Sequence, residues 1–452
     1  MSDNLRLQTV RALEKVYRKG LTLDQVLPQN TQPLVRELVS GTLRHHFSLS
    51  ARIDERLTRK LRTKDTDVRC LLLIGAYQLL HTRIPDHAAV AETVACVRGL
   101  KKPWAKALVN AVLRNLPKSS EQWPSAARYD HPTWFINTLR KSLPGHWESV
   151  LNANNTRAPM TLRVNVANTD IASYKRSLSD SGIAFSEGAL PETLVLETPT
   201  PQTKLPGYKE GLVAVQDAAA QLAVTLSNPD TGARVLDACA APGGKGFHLI
   251  ERNPHVVLRM QDNSAARVAT LKEQASRLGH NKLLTIRHRD SLLALDGIET
   301  NTSEPHQRYD LILLDAPCSG SGTVRRHPDM KILREQRDLA QLNRTQAGLL
   351  DALWTRLTPN GRLVYSTCSL FKEENDDIIR AFLDRHAGNP PAQRSNDSVQ
   401  TTQGTPSVTN IARRIVQHAS VPGIATEFGW QTLPSEGGGD GLYYCELTAI
   451  PN

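Results

Sequence analysis

From about Gln216 onward one pattern recurs: a short apolar run ends in an acid or a thiol, and a helical stretch follows. Val235-Leu236 leads to Asp237, "HVVLRMQD" ends at Asp262, and "KLLTIRHRD" ends at Asp290. "YDLILLDAP" passes Asp315 and ends at Pro317, and "GRLVYSTC" ends at Cys368. Helix-like stretches lie between the runs, among them Ser264 to Leu278 and Arg337 to Leu357. Repeated strand–helix units with apolar strands predict a mostly parallel sheet covered on both faces. The fold class expected over residues 216–452 is therefore α/β, in a Rossmann-like arrangement. Such a sheet binds ligands at the carboxyl ends of its strands, where the strand order switches. The acids and thiols named above stand at those ends.

The run after the first strand, "CAAPGGKG", is made almost entirely of small residues: Cys239, Ala240, Ala241, Pro242, Gly243 and Gly244, then Lys245 and Gly246. Small residues permit a tight turn and a close backbone approach to a ligand. Amides at the start of a following helix favour a carboxylate or a phosphate. The run is neither the dinucleotide GxGxxG nor a Walker loop. Asp262, ending the second strand, stands where a carboxylate accepts hydrogen bonds from ribose hydroxyls, and Asp290 would lie near an adenine. Each acid alone is as well explained by a helix cap or a turn, and Asp262 is placed to cap a helix from Ser264. Taken together at successive strand ends, they point to a nucleoside-bearing cofactor. Cys318 and Cys368 both follow apolar strands and can face one pocket despite fifty residues between them. A strand-end cysteine is often a small buried hydrophobe; two of them beside an acid and a Gly-rich turn point to catalysis.

The rest of the chain differs. Apolar positions recur at helical spacing in Leu5 to Tyr17, Pro33 to Leu57, Val68 to Leu80, Ala88 to Leu100 and Ala105 to Leu116. An all-α bundle over residues 1–127 is expected. Trp134 to Leu143 reads as a helix, and "MTLRVNV" and "TLVLET" read as strands, so residues 128–215 are expected to form a small α+β linking domain. Thr300 to Gln307 and Gly388 to Asn410 are polar and read as insertions, the second as a mobile loop. The six cysteines are scattered without a CxxC pair, which argues against a disulfide framework or a zinc site. No signal-like or membrane-spanning run occurs, so a cytoplasmic protein with no membrane and no metal is expected. The formal net charge of +10 suits an anionic partner such as nucleic acid.

"DACAAPGGK", "DAPCSGSGTVRRHPD" and "YSTCSLFKEEN" resemble the motifs of the RNA cytosine-5 methyltransferases, the NOL1/NOP2/Sun family. "LIGAYQLL", "IPDHAAVAETV" and "LVNAVLRNL" resemble the NusB-like RNA-binding domain. The chain departs from the family pattern at Gly246, where Thr is usual, and at "MQDNS". The resemblance implies S-adenosylmethionine as cofactor, held by Cys239 to Lys245, Asp262, Asp290 and Asp315. It implies that Cys368 is the nucleophile toward carbon 6 of a cytosine and that Cys318 assists release of the methylated base. Asp315 would hydrogen-bond N3 and the exocyclic amine, and Lys245 would orient Asp315 or the base. Order along the chain would not have decided between the two cysteines. The NusB-like pairing points to small-subunit rRNA as the partner, acted on by a monomer. The same chemistry on tRNA or large-subunit rRNA, or an RNA-binding factor with an idle methyltransferase domain, stays open. Arg163, Arg325, Arg326, His327 and Lys331 are candidate phosphate contacts, with a solvated basic surface as the plain alternative.

Overall fold

The computed structural model describes residues 4–28, 30–117, 123–281, 284–292, 308–386, 410–414, 423–435 and 437–450. The expected insertion at 300–307, and all but the last residue of the one at 388–410, lie outside these. The chain divides into two compact units: Met1–Arg157 with Thr323–Gln336, and Ala158–Gly322 with Arg337–Asn452.

The first unit is helical. Leu5–Lys19 starts where Asn4 Oδ1 accepts the Arg6 and Leu7 amides, and it stops at Gly20, whose φ of 65° only glycine adopts readily. Its apolar stripe, Val10, Leu13 and Val16, is buried. Thr66–His81 is apolar on nearly all sides because it runs through the centre of this core. The stretch expected as one helix from Pro33 to Leu57 is two, Pro33–Arg44 and His46–Asp54, with the break at His45. Asp130 explains the break. Its carboxylate takes the Ser48 amide at 2.7 Å, as an N-cap would, and contacts the His45 ring at 3.1 Å. No periodicity could report this, because Asp130 is distant in sequence.

Residues Thr323–Gln336, which follow the Cys318 loop in sequence, belong to this helical unit. Asp329 accepts the Leu23 amide at 2.9 Å, and Arg44 donates to the Arg325 carbonyl at 3.2 Å. Lys331 donates to the Arg44 carbonyl at 2.8 Å and to Asn155 at 2.6 Å. Arg325 and Lys331 are 1% and 2% exposed, so the expectation that they meet phosphates at the surface is corrected: both are buried in the unit.

The second unit holds two sheets. The smaller is antiparallel, with order β2-β3-β1-β4: β1 is Met160–Val164, β2 Phe185–Glu187, β3 Thr193–Leu196 and β4 Val213–Val215. Helix Ile171–Asp180 packs its buried Tyr174 and Leu178 into the core beneath this sheet, which completes the small α+β linking domain.

The larger sheet is the expected α/β one. Its parallel part has the order β9-β8-β5-β6-β7, where β5 is Arg234–Asp237, β6 Val257–Asp262, β7 Leu284–His288, β8 Tyr309–Asp315 and β9 Leu357–Thr367. The chain begins at the centre, goes out through β6 and β7, then returns to lay β8 and β9 on the other side. The order therefore reverses between β5 and β8, the place where such folds bind ligands. Four further strands were not read from the sequence: β10 (Asn410–Arg414), β11 (Gly423–Ala425), β12 (Trp430–Thr432) and β13 (Tyr443–Ile450). β13 runs antiparallel to β9, and β10 and β12 both pair with β13. "YYCELTAI" carries the aromatic and β-branched signal of a strand. No strand–helix repeat leads into it, so the pattern used for the parallel strands could not reveal it.

Candidate active site

The Cys239–Gly246 run forms the turn from β5 into helix Gly244–Arg252. Gly243 has φ 102°, and a Cβ there would lie 2.1 Å from the Phe247 ring, so only glycine fits. Gly246, where the family resemblance leads one to expect Thr, stands against Asp237 and Met260. A Cβ there would come within 2.7 Å of Asp237 Oδ2. The turn is anchored from the neighbouring strand: the Ala240 amide meets the Gln261 carbonyl at 2.9 Å and the Ala241 amide meets Asp262 Oδ2 at 3.3 Å.

Asp262 is buried. Besides the Ala241 amide it accepts the Ser264 amide at 3.0 Å and pairs with Arg267 at 3.1 Å. The alternative reading of Asp262 as a local cap is thus realised in part, while its place at the strand end is kept. Asp290 accepts the Leu292 amide at 2.9 Å within its own loop. Asp237 is buried, and neither oxygen has a partner in good hydrogen-bond geometry. Burial pushes its carboxyl up to about 7; Asp315 and Asp262 add to the rise, against Lys245 and the Gly246 amide. Burial likewise pushes the Cys239 thiol up to about 12, which leaves it an inert wall of the turn.

Parallel pairing of β8 with β9 sets Asp315 against Ser366 and brings the loops beyond them together. Cys318 and Cys368 meet there with sulfurs 3.3 Å apart, both free thiols and both partly exposed. Beside them Lys245 donates to Asp315 at 2.5 Å, and Ser366 donates to the other carboxylate oxygen at 3.2 Å. Burial alone would lower the Lys245 pKa. The Asp315 charge and hydrogen bond outweigh it, with Cys368 and Asp237 adding, and the net shift is upward: this ammonium keeps its proton. The Cys318 thiol is held well above its usual range, first by the hydrogen bond with Cys368, then by burial, then by the charges of Cys368 and Glu374. The arrangement can offer one sulfur as a nucleophile beside a fixed ammonium–carboxylate pair, with a second, protonated sulfur in contact.

The structure thus gathers Lys245, Asp315, Cys318 and Cys368, and keeps the Cys239–Gly244 turn and Asp262 on the adjoining strand ends. Arg163 is a correction. Expected as a phosphate contact, it is 1% exposed on β1 and forms a bidentate pair with Glu251, at 2.8 and 2.7 Å, besides donating to the Gly244 carbonyl at 2.8 Å. Its work is to hold the linking sheet against the helix that follows the Gly-rich turn. Sequence reasoning also passed over Glu374 and Asn375, although both stand in the quoted "FKEEN"; spacing alone could not say that they fold back under the thiols. Among the described residues no helix is long and apolar enough to cross a membrane, and no cluster of side chains could hold a metal ion.

Comparison with known proteins agrees with this architecture. The 16S rRNA methyltransferase RsmB/F family model matches residues 223–448. The NusB family model matches residues 3–118, and that of the RsmF/B-like ferredoxin-like domain matches 131–203. Ribosomal RNA small subunit methyltransferase B of Citrobacter koseri is 39% identical, covering 98% of this chain and 99% of that one. The probable ribosomal RNA small subunit methyltransferase B of Coxiella burnetii is also 39% identical, over 99% of this chain and all of its own. The crystal structure of PH0851 shares the fold with a TM-score of 0.76 at 21% identity, over 98% of both chains. A family model that spans half of the chain and full-length relatives at 39% identity lead to one conclusion: the chain belongs to the 16S rRNA methyltransferase RsmB/F family.

Proposed function

We propose that this protein is an rRNA methyltransferase that places a methyl group on carbon 5 of a cytosine in small-subunit rRNA, through a transient bond between Cys368 and carbon 6. The observation that carries the reading is the thiol pair, 3.3 Å apart, beside the Lys245–Asp315 pair at the strand-order switch. Residues 1–127 would bind RNA, 128–215 would link, and 216–452 would carry the chemistry.

The cofactor that fits is S-adenosylmethionine, which when bound supplies an electrophilic methyl group. The donor set suits it. Asp237, Asp262, Asp290 and Asp315 surround the turn with acids, favourable to a sulfonium and an ammonium. The Cys239–Gly244 turn and the start of the helix after it favour a carboxylate. Asp262 and Asp290 would take the ribose and adenine, and the orphaned Asp237 carboxyl marks a polar group still wanting a donor.

Carbon 5 of cytosine is a weak nucleophile. Addition of the Cys368 thiolate to carbon 6 moves the electron pair of the 5,6 double bond onto carbon 5, which can then take a methyl group. Asp315 can hold a proton at N3 and accept from the exocyclic amine; uracil would set a carbonyl against that acceptor. The carbon 5 proton passes to solvent water, the electron pair of that C–H bond restores the 5,6 double bond, and Cys368 leaves carbon 6 with the electrons of the C–S bond. Cys318, kept protonated with its sulfur 3.3 Å from that of Cys368, gives its proton to the departing sulfur and regains one from solvent. The Lys245 ammonium holds Asp315 in place. The RNA must present its base unstacked for any of this.

Cys368→Ala is expected to reduce methylation of small-subunit rRNA to background. Cys318→Ala is expected to leave protein covalently attached to RNA, visible as a denaturant-stable band. Bisulfite sequencing of rRNA from cells with and without the protein should show one protected cytosine lost. Full turnover by Cys368→Ala would overturn the assignment.

A further inference from the structure

The two thiols sit on separate loops, yet the residue after each one is bound by the same carboxylate. Glu374 is fully buried. Its Oε1 accepts the Ser319 amide at 2.8 Å, and its Oε2 accepts the Ser319 and Ser369 hydroxyls, each at 2.5 Å. Gln346 donates to Oε1 at 3.1 Å and to the Pro317 carbonyl at 3.0 Å. Four donors, all neutral groups, thus converge on one buried carboxylate. Its own backbone is held as well, by the Tyr365 hydroxyl at 2.8 Å. Further links join the loops: Gly322 N to the Cys368 carbonyl at 2.9 Å, and Leu370 N to Ser321 Oγ at 2.8 Å.

We propose that Glu374 is a positioning residue for the thiol pair, whose carboxylate binds the chain after Cys318 and after Cys368 and so sets the distance between the sulfurs. This rests on reading the pair as the reacting groups. Glu374 is 0% exposed, and among the described residues it hydrogen-bonds to Ser319, Ser369 and Gln346 and to neither sulfur. A full negative charge left in a buried place is costly, and four hydrogen bonds are what that charge needs. A neutral amide there would turn one acceptor into a donor facing donors, which loosens both loops at once. The charge has a second consequence: it helps to keep the Cys318 thiol protonated.

The test is Glu374→Gln in the full chain, with Glu374→Asp as the conservative variant. Glu374→Gln should lower kcat roughly 10- to 100-fold with KM for RNA and S-adenosylmethionine little changed, as misplacement of a reacting group does. It should also shift the pH profile of Cys318 alkylation by iodoacetamide, resolved by peptide mass, to lower pH. Glu374→Asp should restore much of both. Wild-type kcat in Glu374→Gln, or a lowered kcat with an unmoved Cys318 profile, would overturn the proposal. Should Glu374→Gln fail to fold, Ser319→Ala and Ser369→Ala each delete one hydroxyl contact to Glu374 and keep the charge. Both should lower kcat, and wild-type rates in both would again overturn it. The alkylation profile needs no methyl transfer, so it tests Glu374 even if the reaction assigned to this site is wrong.

Discussion

Two lysines among the described residues are largely withdrawn from water, Lys331 at 2% exposure and Lys245 with 11% of its side chain exposed, and they have opposite fates. In the catalytic unit, Lys245 has Asp315 at 2.5 Å, and its pKa is raised in spite of burial. In the helical unit, among the described residues, Lys331 donates only to neutral acceptors, Asn155 at 2.6 Å and the Arg44 carbonyl at 2.8 Å. Burial pulls its pKa down to about 7; Asp130 resists and Arg44 adds to the fall. A buried ammonium keeps its charge when a carboxylate touches it, and hydrogen bonds to neutral oxygens do not suffice. Lys245 can therefore work as a fixed cation next to Cys368. Lys331, titrating at about 7, is about half protonated at neutral pH and belongs to the packing of the Thr323–Gln336 segment.

Arg163 extends the comparison to a fully paired cation. Replacing it by Met leaves Glu251 buried beside His280 without its bidentate partner, and the loss should be about 3–5 kcal/mol in urea unfolding. A loss below about 1 kcal/mol would mean that the pair contributes little beyond shape. Next in size, Asp315→Asn removes the charge that holds Lys245 protonated. Methylation should fall by about 100-fold, or roughly 2.7 kcal/mol of barrier, and the surviving activity should decline at a lower pH than in the wild type as Lys245 loses its proton. An unchanged pH profile would show that Asp315 is not what secures the lysine.

The smallest effect expected is that of Lys331→Met. The unfolded lysine titrates near 10.5 and the folded one at about 7. Between those values the unfolded chain binds a proton that the folded chain does not, so stability of the wild type rises with pH across this window. Below 7 both states carry the proton and the folded state bears the full cost of burial. Lys331→Met should thus gain on the wild type most at pH 6 to 7, by about 1–2 kcal/mol after its lost hydrogen bonds, and the gain should turn into a loss toward pH 10. Melting temperatures of the two proteins across that range would show it. A constant difference would mean that Lys331 stays charged.

The parts that could be read without coordinates share one property: they are local. Apolar runs ending in Asp262, Asp315 or Cys368 announce strands and their ends, and "CAAPGGKG" announces a tight turn, because backbone sterics act within a few residues. The strands β10 to β13 were not read, because β13 attaches antiparallel to β9, and the others build on β13, without the repeat that marks the parallel strands. The bases Arg163, Arg325 and Lys331 were misjudged for a related reason. Charge is written in the chain, whereas burial depends on what distant segments bring to it. Glu374 was quoted and given no role, since its partners Ser319 and Gln346 are contributed from elsewhere.

By itself, then, the sequence determined the parallel strands with the helices between them, the glycine turn and the pair of thiols at strand ends. Those follow from side-chain size, periodicity and chemistry at each position. Only the tertiary structure decided that Cys318 and Cys368 touch, that Asp315 rather than Asp237 meets Lys245, and that Arg163 and Lys331 are interior. Contact between distant residues and removal from water arise when the β8–β9 register and the helical core close, and no single segment carries that information.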